Sequence, residues 1–90
     1  MKIAFDPDKN EWNVRHRGLS FSKVEAFDFD SALVMQDERK PYPEVRYIAL
    51  GMLEHRLHVL CFTPIEAGIR VISFRKANAR EVKNYEQTFG

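Results

Sequence analysis

Residues 69–85 place cations, a carboxylate and a phenol at one predicted junction between a strand and a helix. Guanidinium and ammonium groups bind phosphate oxygens, and a nearby carboxylate or phenol can transfer protons. The pattern therefore indicates a site that holds a phosphate backbone. The side chains concerned are Arg70, Arg75, Lys76, Arg80, Glu81, Lys83 and Tyr85.

Glu81 and Tyr85 also have structural interpretations. Asn78 and Glu81 have the spacing of a capping box, in which each side chain accepts a hydrogen bond from a backbone amide at the helix start. Tyr85 follows Val82 at helical spacing and belongs to a stripe that would dock the helix onto the domain. Structural and chemical roles therefore both remain open for these two residues.

A second polar cluster falls on a predicted helix that begins at Pro7, with Asp6 as its cap and Gly18 at its end. Histidine is the side chain that titrates near neutral pH, and an exposed tryptophan can stack on an unpaired base. A solvated polar face would explain the same spacing without any function. The members of this cluster are Lys9, Trp12, Asn13, His16 and Arg17.

His55, His58 and Cys61 have spacings that suggest metal ligands, but the surrounding residues read as strand. Strand residues three positions apart point to opposite faces, whereas zinc needs ligands that converge. The sequence therefore predicts no metal and no cofactor. Cys61 is the only cysteine, so no intramolecular disulfide can form, and we expect it to be a small core residue.

Length and charge limit the classes of protein further. The 90 residues predict a single domain spanning 1–90. The net charge of +1 conceals a polarity, because residues 22–44 carry three cations and six anions while residues 69–90 carry five cations and two anions. One surface is therefore suited to an anion and another to a basic partner. No apolar run has membrane-spanning length, which predicts a cytoplasmic protein.

The order of predicted elements indicates an α+β domain. Short connections favour a small antiparallel β-sheet with two N-terminal helices and one C-terminal helix packed on it. Ser20 is the predicted cap of the second helix, and Asn78 of the last. The predicted strands cover residues 3–5, 33–36, 45–50, 56–63 and 69–74.

Over nearly the whole chain these motifs, taken in order, resemble the BrnT toxins. The resemblance implies a RelE-like ribonuclease toxin of a type II toxin-antitoxin pair, which arrests growth by cutting RNA. It also implies a BrnA-like antitoxin whose ribbon-helix-helix domain binds the operon's DNA, and an oligomeric complex of the two. The motifs are Phe5-Asp6-x-x-Lys9-x-x-x-Asn13, Gly18-Leu19-Ser20-Phe21, Glu44-x-Arg46, Ile48-x-x-Gly51, Arg70-Val71-Ile72-Ser73-x-Arg75-Lys76-Ala77-x-x-x-Glu81 and Tyr85.

The resemblance assigns functional positions to residues of this chain. One position departs from the family, whose members commonly read Lys-His-Gly where this chain has His16-Arg17-Gly18. Displacement by one residue rotates the histidine by about 100° around a helix. The assigned positions are Arg46, Arg70, Arg75, Lys76, Glu81 and Tyr85, with Lys9 and Asn13 in the N-terminal motif.

RNA cleavage without a metal requires a base for the 2′-hydroxyl, stabilisation of a dianionic phosphorane, and an acid for the departing 5′-oxygen. Arg46, Arg70 and Arg75 suit the phosphorane, because guanidinium groups bind phosphate oxygens bidentately. The candidates for base and acid, which the sequence does not rank, are His16, Lys76, Glu81 and Tyr85. The residues predicted to bind RNA are Lys9, Trp12, Asn13, Arg17, Arg80 and Lys83.

Three function classes remain open at this level. The first is a metal-independent endoribonuclease toxin acting on RNA, free or on the ribosome. The second is a non-catalytic RNA- or ribosome-binding module, which predicts salt-sensitive binding of RNA that stays intact. The third is a protein-interaction domain whose basic face docks an acidic partner.

Overall fold

A computed structural model describes residues 1–89 as three helical segments and five strands. No helix in this range is both long and apolar enough to cross a membrane. The helical segments are α1 (Pro7–Arg17), a 3-10 helix (Phe21–Ala26) and α2 (Ala79–Phe89). The strands are β1 (Lys2–Phe5), β2 (Leu33–Gln36), β3 (Tyr47–Leu53), β4 (Arg56–Ile65) and β5 (Gly68–Lys76).

Local capping interactions set the helix ends where the sequence predicted them. The Asp6 carboxylate accepts a hydrogen bond from the amide of Asp8, and Gly18 closes α1 with a left-handed φ of 63°. At α2, the Glu81 amide donates to the Asn78 side chain at 2.8 Å, and the Asn78 amide donates to the Glu81 carboxylate at 2.9 Å. The capping box is therefore confirmed.

The five strands form one sheet in the order β1-β5-β4-β3-β2. Strands β2 to β5 are antiparallel neighbours, and a tight turn joins β3 to β4 through Glu54 and His55, whose φ angles are 49° and 66°. Positive φ at both central residues is typical of the type I′ hairpin turn. The N-terminal strand β1 runs parallel to β5 at the sheet's edge.

Each face of the sheet carries its own apolar cluster. The first face holds the larger core and is covered by the 3-10 helix, with α1 along β5; its fully buried members include Phe21, Val24 and Phe74. The second face holds a smaller cluster, which includes Leu57 and Val59 and packs against Val82 and Tyr85 of α2. We refer to these below as the first face and the second face.

The α+β class is confirmed, and two details differ from the expected arrangement. The sheet is mixed rather than purely antiparallel, because β1 adds to β5 in parallel register from Lys2 opposite Gly68 to Phe5 opposite Val71. The second N-terminal helix is a six-residue 3-10 segment. Its cap is as predicted, since the Ser20 hydroxyl accepts a hydrogen bond from the Ser22 amide.

Gly68 allows β1 to approach β5, and we predict that Gly68→Ala lowers the free energy of unfolding by about 1 to 3 kcal/mol. A Cβ at this position would overlap the carbonyl oxygen of Lys2, which is backbone and cannot rotate away. Urea denaturation measures the loss. Glu66→Ala, an exposed change in the preceding turn, is the control and should stay within about 0.5 kcal/mol of wild type. Equal stability of the two variants would contradict this explanation of Gly68.

Candidate functional site

The uncovered part of the second face carries a row of polar side chains across three strands. Arg70 is opposite Thr63 in the β4–β5 register. Arg46 comes just before β3 and the Tyr47–Phe62 pair, which places it beside Thr63 on the other side. Arg46 and Arg70 are therefore two strands apart, a Cα separation of about 10 Å. The buried Thr63 hydroxyl between them donates to the Val45 carbonyl at 2.6 Å.

Arg75 lies on the same face, where β5 approaches the start of α2. Its two terminal nitrogens donate to the two carboxylate oxygens of Glu81, both at 2.8 Å. This fork raises the pKa of Arg75 and, with the Asn78 amide, lowers the pKa of Glu81. Glu81 is therefore an ionised carboxylate that orients Arg75 and caps α2 at the same time.

Arg46 is also held by a carboxylate and an aromatic ring. Its Nε donates to Glu44 at 2.8 Å, and its guanidinium lies 4.0 Å from the centroid of the Tyr42 ring. The pKa of Arg46 is raised, chiefly by the hydrogen bond to Glu44. Arg70 differs, because its exposed side chain makes no hydrogen bond or ion pair with any other part of residues 1–89.

Arg39 joins this face although the sequence interpretation did not include it. Its Nε and one terminal nitrogen each donate to the Asp37 carboxylate at 2.8 Å, and it lines the same depression as Arg46. The signal available in the sequence was strand alternation: Asp37 continues the side of β2 that carries Leu33 and Met35, and a carboxylate at such a position needs a partner. We call Arg39, Arg46, Arg70 and Arg75 the arginine cluster.

Other predicted site residues of this region lie elsewhere. The Tyr85 ring packs in the second-face cluster, and its hydroxyl donates to the Ser31 carbonyl at 2.9 Å. Lys76 is opposite His58 in the β4–β5 register, and adjacent strand residues point to opposite faces, so Lys76 points away from Arg75. Arg80 and Lys83 are exposed on α2 and line a shallow depression that also includes Glu81.

The predicted cluster on α1 forms an exposed stack. The rings of Trp12 and His16 are nearly parallel with centroids 4.4 Å apart, and the Arg17 guanidinium lies 5.0 Å from the Trp12 ring centroid. The Nδ1 of His16 is 2.9 Å from the Trp12 carbonyl. Because a carbonyl only accepts, this nitrogen carries the proton in the neutral ring, which leaves Nε2 as an acceptor.

Asn13 belongs to the same helix but is only 1% exposed. Its amide nitrogen donates to the carbonyls of Leu19 and Phe74 at 2.9 and 2.8 Å, and its oxygen accepts from Arg17 at 3.1 Å. The side chain is thus fully engaged within the protein. It clamps α1 to β5 and to the loop that follows α1.

A cavity of about 170 Å³ lies between α1 and the part of β5 that follows its pairing with β1. Its lining includes Lys9, Trp12 and Arg17 from α1 and Ser73 from β5. Ser73 is opposite Cys61 in the sheet and, two residues before Arg75, points to the second face. The α1 stack and the arginine cluster therefore flank the same exposed section of β5.

His58 is a buried histidine that makes stability depend on pH. It is 4% exposed, its ring lies 5.4 Å from the Phe74 ring on the first face, and burial lowers its pKa below 6.5. The unfolded chain therefore binds a proton more readily, so stability should fall as the pH drops from about 7 through 6.5 towards the folded-state pKa.

Thermal melts between pH 7.5 and 5.5 measure this dependence. We expect His58→Gln to flatten the curve in that window. His55→Asn is the control, because the exposed turn position has a φ of 66° that asparagine tolerates, and it should keep the wild-type dependence. An unchanged slope in His58→Gln would exclude His58 as the source.

No group of three or more His, Cys, Asp or Glu side chains within residues 1–89 is arranged to hold a metal ion. Cys61 is buried with a free thiol, and burial raises its pKa. His58 and Cys61 lie on opposite faces of β4, as strand alternation predicted. The His58 ring lies 5.4 Å from Phe74 of the first-face core, whereas Cys61 is opposite Ile48, which packs in the second-face cluster.

A protein-family model for the ribonuclease toxin BrnT of type II toxin-antitoxin systems matches residues 5–81. No curated protein sequence matches the chain closely enough to count as a relative. The matched range contains α1, the whole sheet after the first residues, and the arginine cluster. Because it spans most of the 90 residues, the chain belongs to the BrnT family of ribonuclease toxins of type II toxin-antitoxin systems.

Proposed function

We propose that this protein is a metal-independent endoribonuclease in which Arg46, Arg70 and Arg75 bind and activate a phosphodiester of RNA. The observation that carries the proposal is the placement of these three arginines on one face of the sheet. Guanidinium groups keep their charge at any physiological pH and match the geometry of phosphate oxygens. RNA cleavage as the activity of the family agrees with this chemistry.

In the proposed reaction the 2′-oxygen attacks the adjacent phosphorus while the bond from phosphorus to the 5′-oxygen breaks. The 2′-hydroxyl loses its proton and the departing 5′-oxygen gains one, which yields a 2′,3′-cyclic phosphate and a 5′-hydroxyl end. Negative charge accumulates on the phosphorane between these steps. Arg46, Arg70 and Arg75 are assigned to that charge, and donors that strengthen only in the transition state accelerate the reaction.

The surroundings of the base and acid candidates differ. Glu81 is a weak base near neutral pH, because its pKa is lowered and both carboxylate oxygens accept hydrogen bonds from Arg75. The Tyr85 hydroxyl already donates a hydrogen bond to the Ser31 carbonyl. His16 retains a free Nε2 acceptor, but it lies on α1 with Trp12. We therefore assign Glu81 to orienting Arg75, and most of the rate enhancement to charge stabilisation by the arginines.

The route of the RNA follows from the cavity at β5. Ser73 lies between the arginine cluster and the α1 stack, so a strand whose phosphate sits at Arg75 can reach Lys9, Trp12 and Arg17 over this edge. Trp12 is 49% exposed and offers an aromatic surface for an unpaired base. Such stacking requires bases outside a duplex, which favours single-stranded RNA, free or on the ribosome.

The partner of the toxin is an antitoxin, as the type II family implies. We propose that it is BrnA-like, with a ribbon-helix-helix domain, so that this chain reaches DNA only through it. We also propose that the complex contains more than one copy of each protein and acts in the cytoplasm. An acidic antitoxin segment over the arginine cluster would compete with RNA for the same guanidinium groups.

Incubation of the purified protein with RNA in excess EDTA tests the proposal. We expect cleavage that produces 5′-hydroxyl ends, and no cleavage at a phosphodiester whose 2′-hydroxyl is replaced by hydrogen. RNA that is bound but stays intact would favour the binding module instead. Absence of both binding and cleavage, with the protein folded, would favour the interaction domain.

A further inference from the structure

We infer that Arg39 is a further RNA-phosphate-binding residue of this site and that Asp37 is the residue that positions it. The inference rests on the proposed function and adds a fourth guanidinium to the three assigned to the phosphorane. Asp37 and Arg39 both lie in the loop between β2 and β3, and the sequence analysis assigned a functional role to neither of them.

The backbone brings Asp37 to the edge of the site. The register pairs Gln36 with Tyr47, and the Asp37 amide then donates to the Arg46 carbonyl at 2.7 Å. Met35 faces the second-face residue Ile48, so strand alternation also points Asp37 to the second face. Asp37 and Arg46 are thus neighbours at the same end of the sheet.

The Asp37 carboxylate fixes the Arg39 guanidinium. The Asp37 side chain has no exposed surface, whereas 70% of the Arg39 side chain is exposed. The fork uses Nε and one terminal nitrogen of Arg39, and a guanidinium has five N–H groups. The remaining donors lie on the edge directed away from Asp37, where a phosphate oxygen can meet them.

Arg39 lies close to a second guanidinium of the arginine cluster, that of Arg46. Arg39 and Arg46 line the same depression of about 480 Å³, together with the Tyr42 ring that stacks on Arg46. Three of the four arginines are each paired with one carboxylate: Arg39 with Asp37 and Arg75 with Glu81 through two hydrogen bonds, and Arg46 with Glu44 through one. A paired arginine with a free edge is preorganised, so less side-chain entropy is lost when it binds a phosphate.

Binding of a fluorescent single-stranded RNA with 2′-O-methyl groups, which cannot be cleaved, tests the inference by anisotropy. The double variant Asp37→Asn, Arg39→Gln removes both charges and so avoids an unpaired buried carboxylate. We expect it to bind at least tenfold more weakly than wild type. The slope of log affinity against log salt should become shallower by about 0.7, the value for one lost contact to a single strand.

Arg39→Lys is a second variant that keeps a cation opposite Asp37 but removes the fork, and its affinity should fall between those of wild type and the double variant. Arg15→Ala is the matched control, because Arg15 is an exposed arginine paired with Glu11 on α1. It should bind like wild type. Arg75→Ala serves as the reference for the proposed site.

Wild-type affinity in Arg39→Lys and in the folded double variant, with weakened binding in Arg75→Ala, would overturn the role of Arg39 and leave the proposed function standing. Wild-type affinity in all of these variants, or no binding by wild type itself, would overturn both. If the double variant does not fold, Arg39→Lys decides alone: weakened binding supports the inference and unchanged binding overturns it.

Discussion

Replacement of Arg75 by alanine should reduce RNA cleavage by roughly 10² to 10³, the effect of removing one donor that stabilises transition-state charge. Arg75 lies on the second face and is held by a two-bond fork to Glu81 at 2.8 Å. The protein should stay folded. The pair is partly exposed, and its loss costs less than about 1 kcal/mol, while Glu81 still caps α2 through Asn78.

The measurement is single-turnover cleavage of a defined RNA, with circular dichroism to confirm folding. Arg75→Lys keeps the charge without the fork and should be intermediate. Arg15→Ala removes an exposed arginine from an ion pair on α1 and should cleave like wild type. An Arg75→Ala protein with the wild-type rate constant would remove this arginine from the reaction.

Replacement of Asn13 by alanine should lower the free energy of unfolding by about 2 to 4 kcal/mol, although the sequence interpretation placed this residue among those that bind RNA. The change leaves the carbonyls of Leu19 and Phe74 without the donor that reaches both in the folded protein. Each buried polar group left unpaired costs about 1 to 3 kcal/mol, and the better helix propensity of alanine offsets only a few tenths.

Urea denaturation measures the effect of Asn13→Ala. Asn84→Ala is the control, because Asn84 is an exposed asparagine on α2, and its replacement should change stability by less than about 0.5 kcal/mol. If Asn13→Ala is as stable as wild type but binds RNA more weakly, the structural role assigned here is wrong and the predicted RNA contact is supported.

Features that depend on neighbouring residues could be predicted from the sequence. Asp6, Gly18 and Ser20 mark helix ends through contacts with residues two to four positions away, and the Asn78–Glu81 capping box is equally local. Strand alternation also correctly separated His58 from Cys61. The α+β class follows from the order of such local elements.

Features that depend on distant pairing could not be predicted in the same way. The parallel addition of β1 to β5 joins residues more than 60 positions apart, and no local pattern specifies it. The burial of Asn13 depends on the Phe74 carbonyl, which β5 presents from the far end of the sequence. A polar stripe on a helix does not reveal which of its members meets such a carbonyl.

The arginine cluster could be predicted only in part from the sequence. Charge counting pointed to Arg70 and Arg75, but it grouped Lys76 with them, although adjacent strand residues point to opposite faces. Arg39 was missed because it lies in a region with more anions than cations. Only the register between β2 and β3 brings Asp37, and with it Arg39, beside Arg46.

The most direct test of the central claim, that the arginine cluster makes this protein an RNA-cleaving toxin, is mapping of RNA 5′ ends in a bacterium minutes after expression is induced. We expect growth arrest and new 5′-hydroxyl ends with the wild-type chain, and neither with Arg75→Ala at equal protein levels. Co-expression of the antitoxin should suppress both effects of the wild-type chain. Arrest without new ends, or the same ends in Arg75→Ala, would contradict the claim.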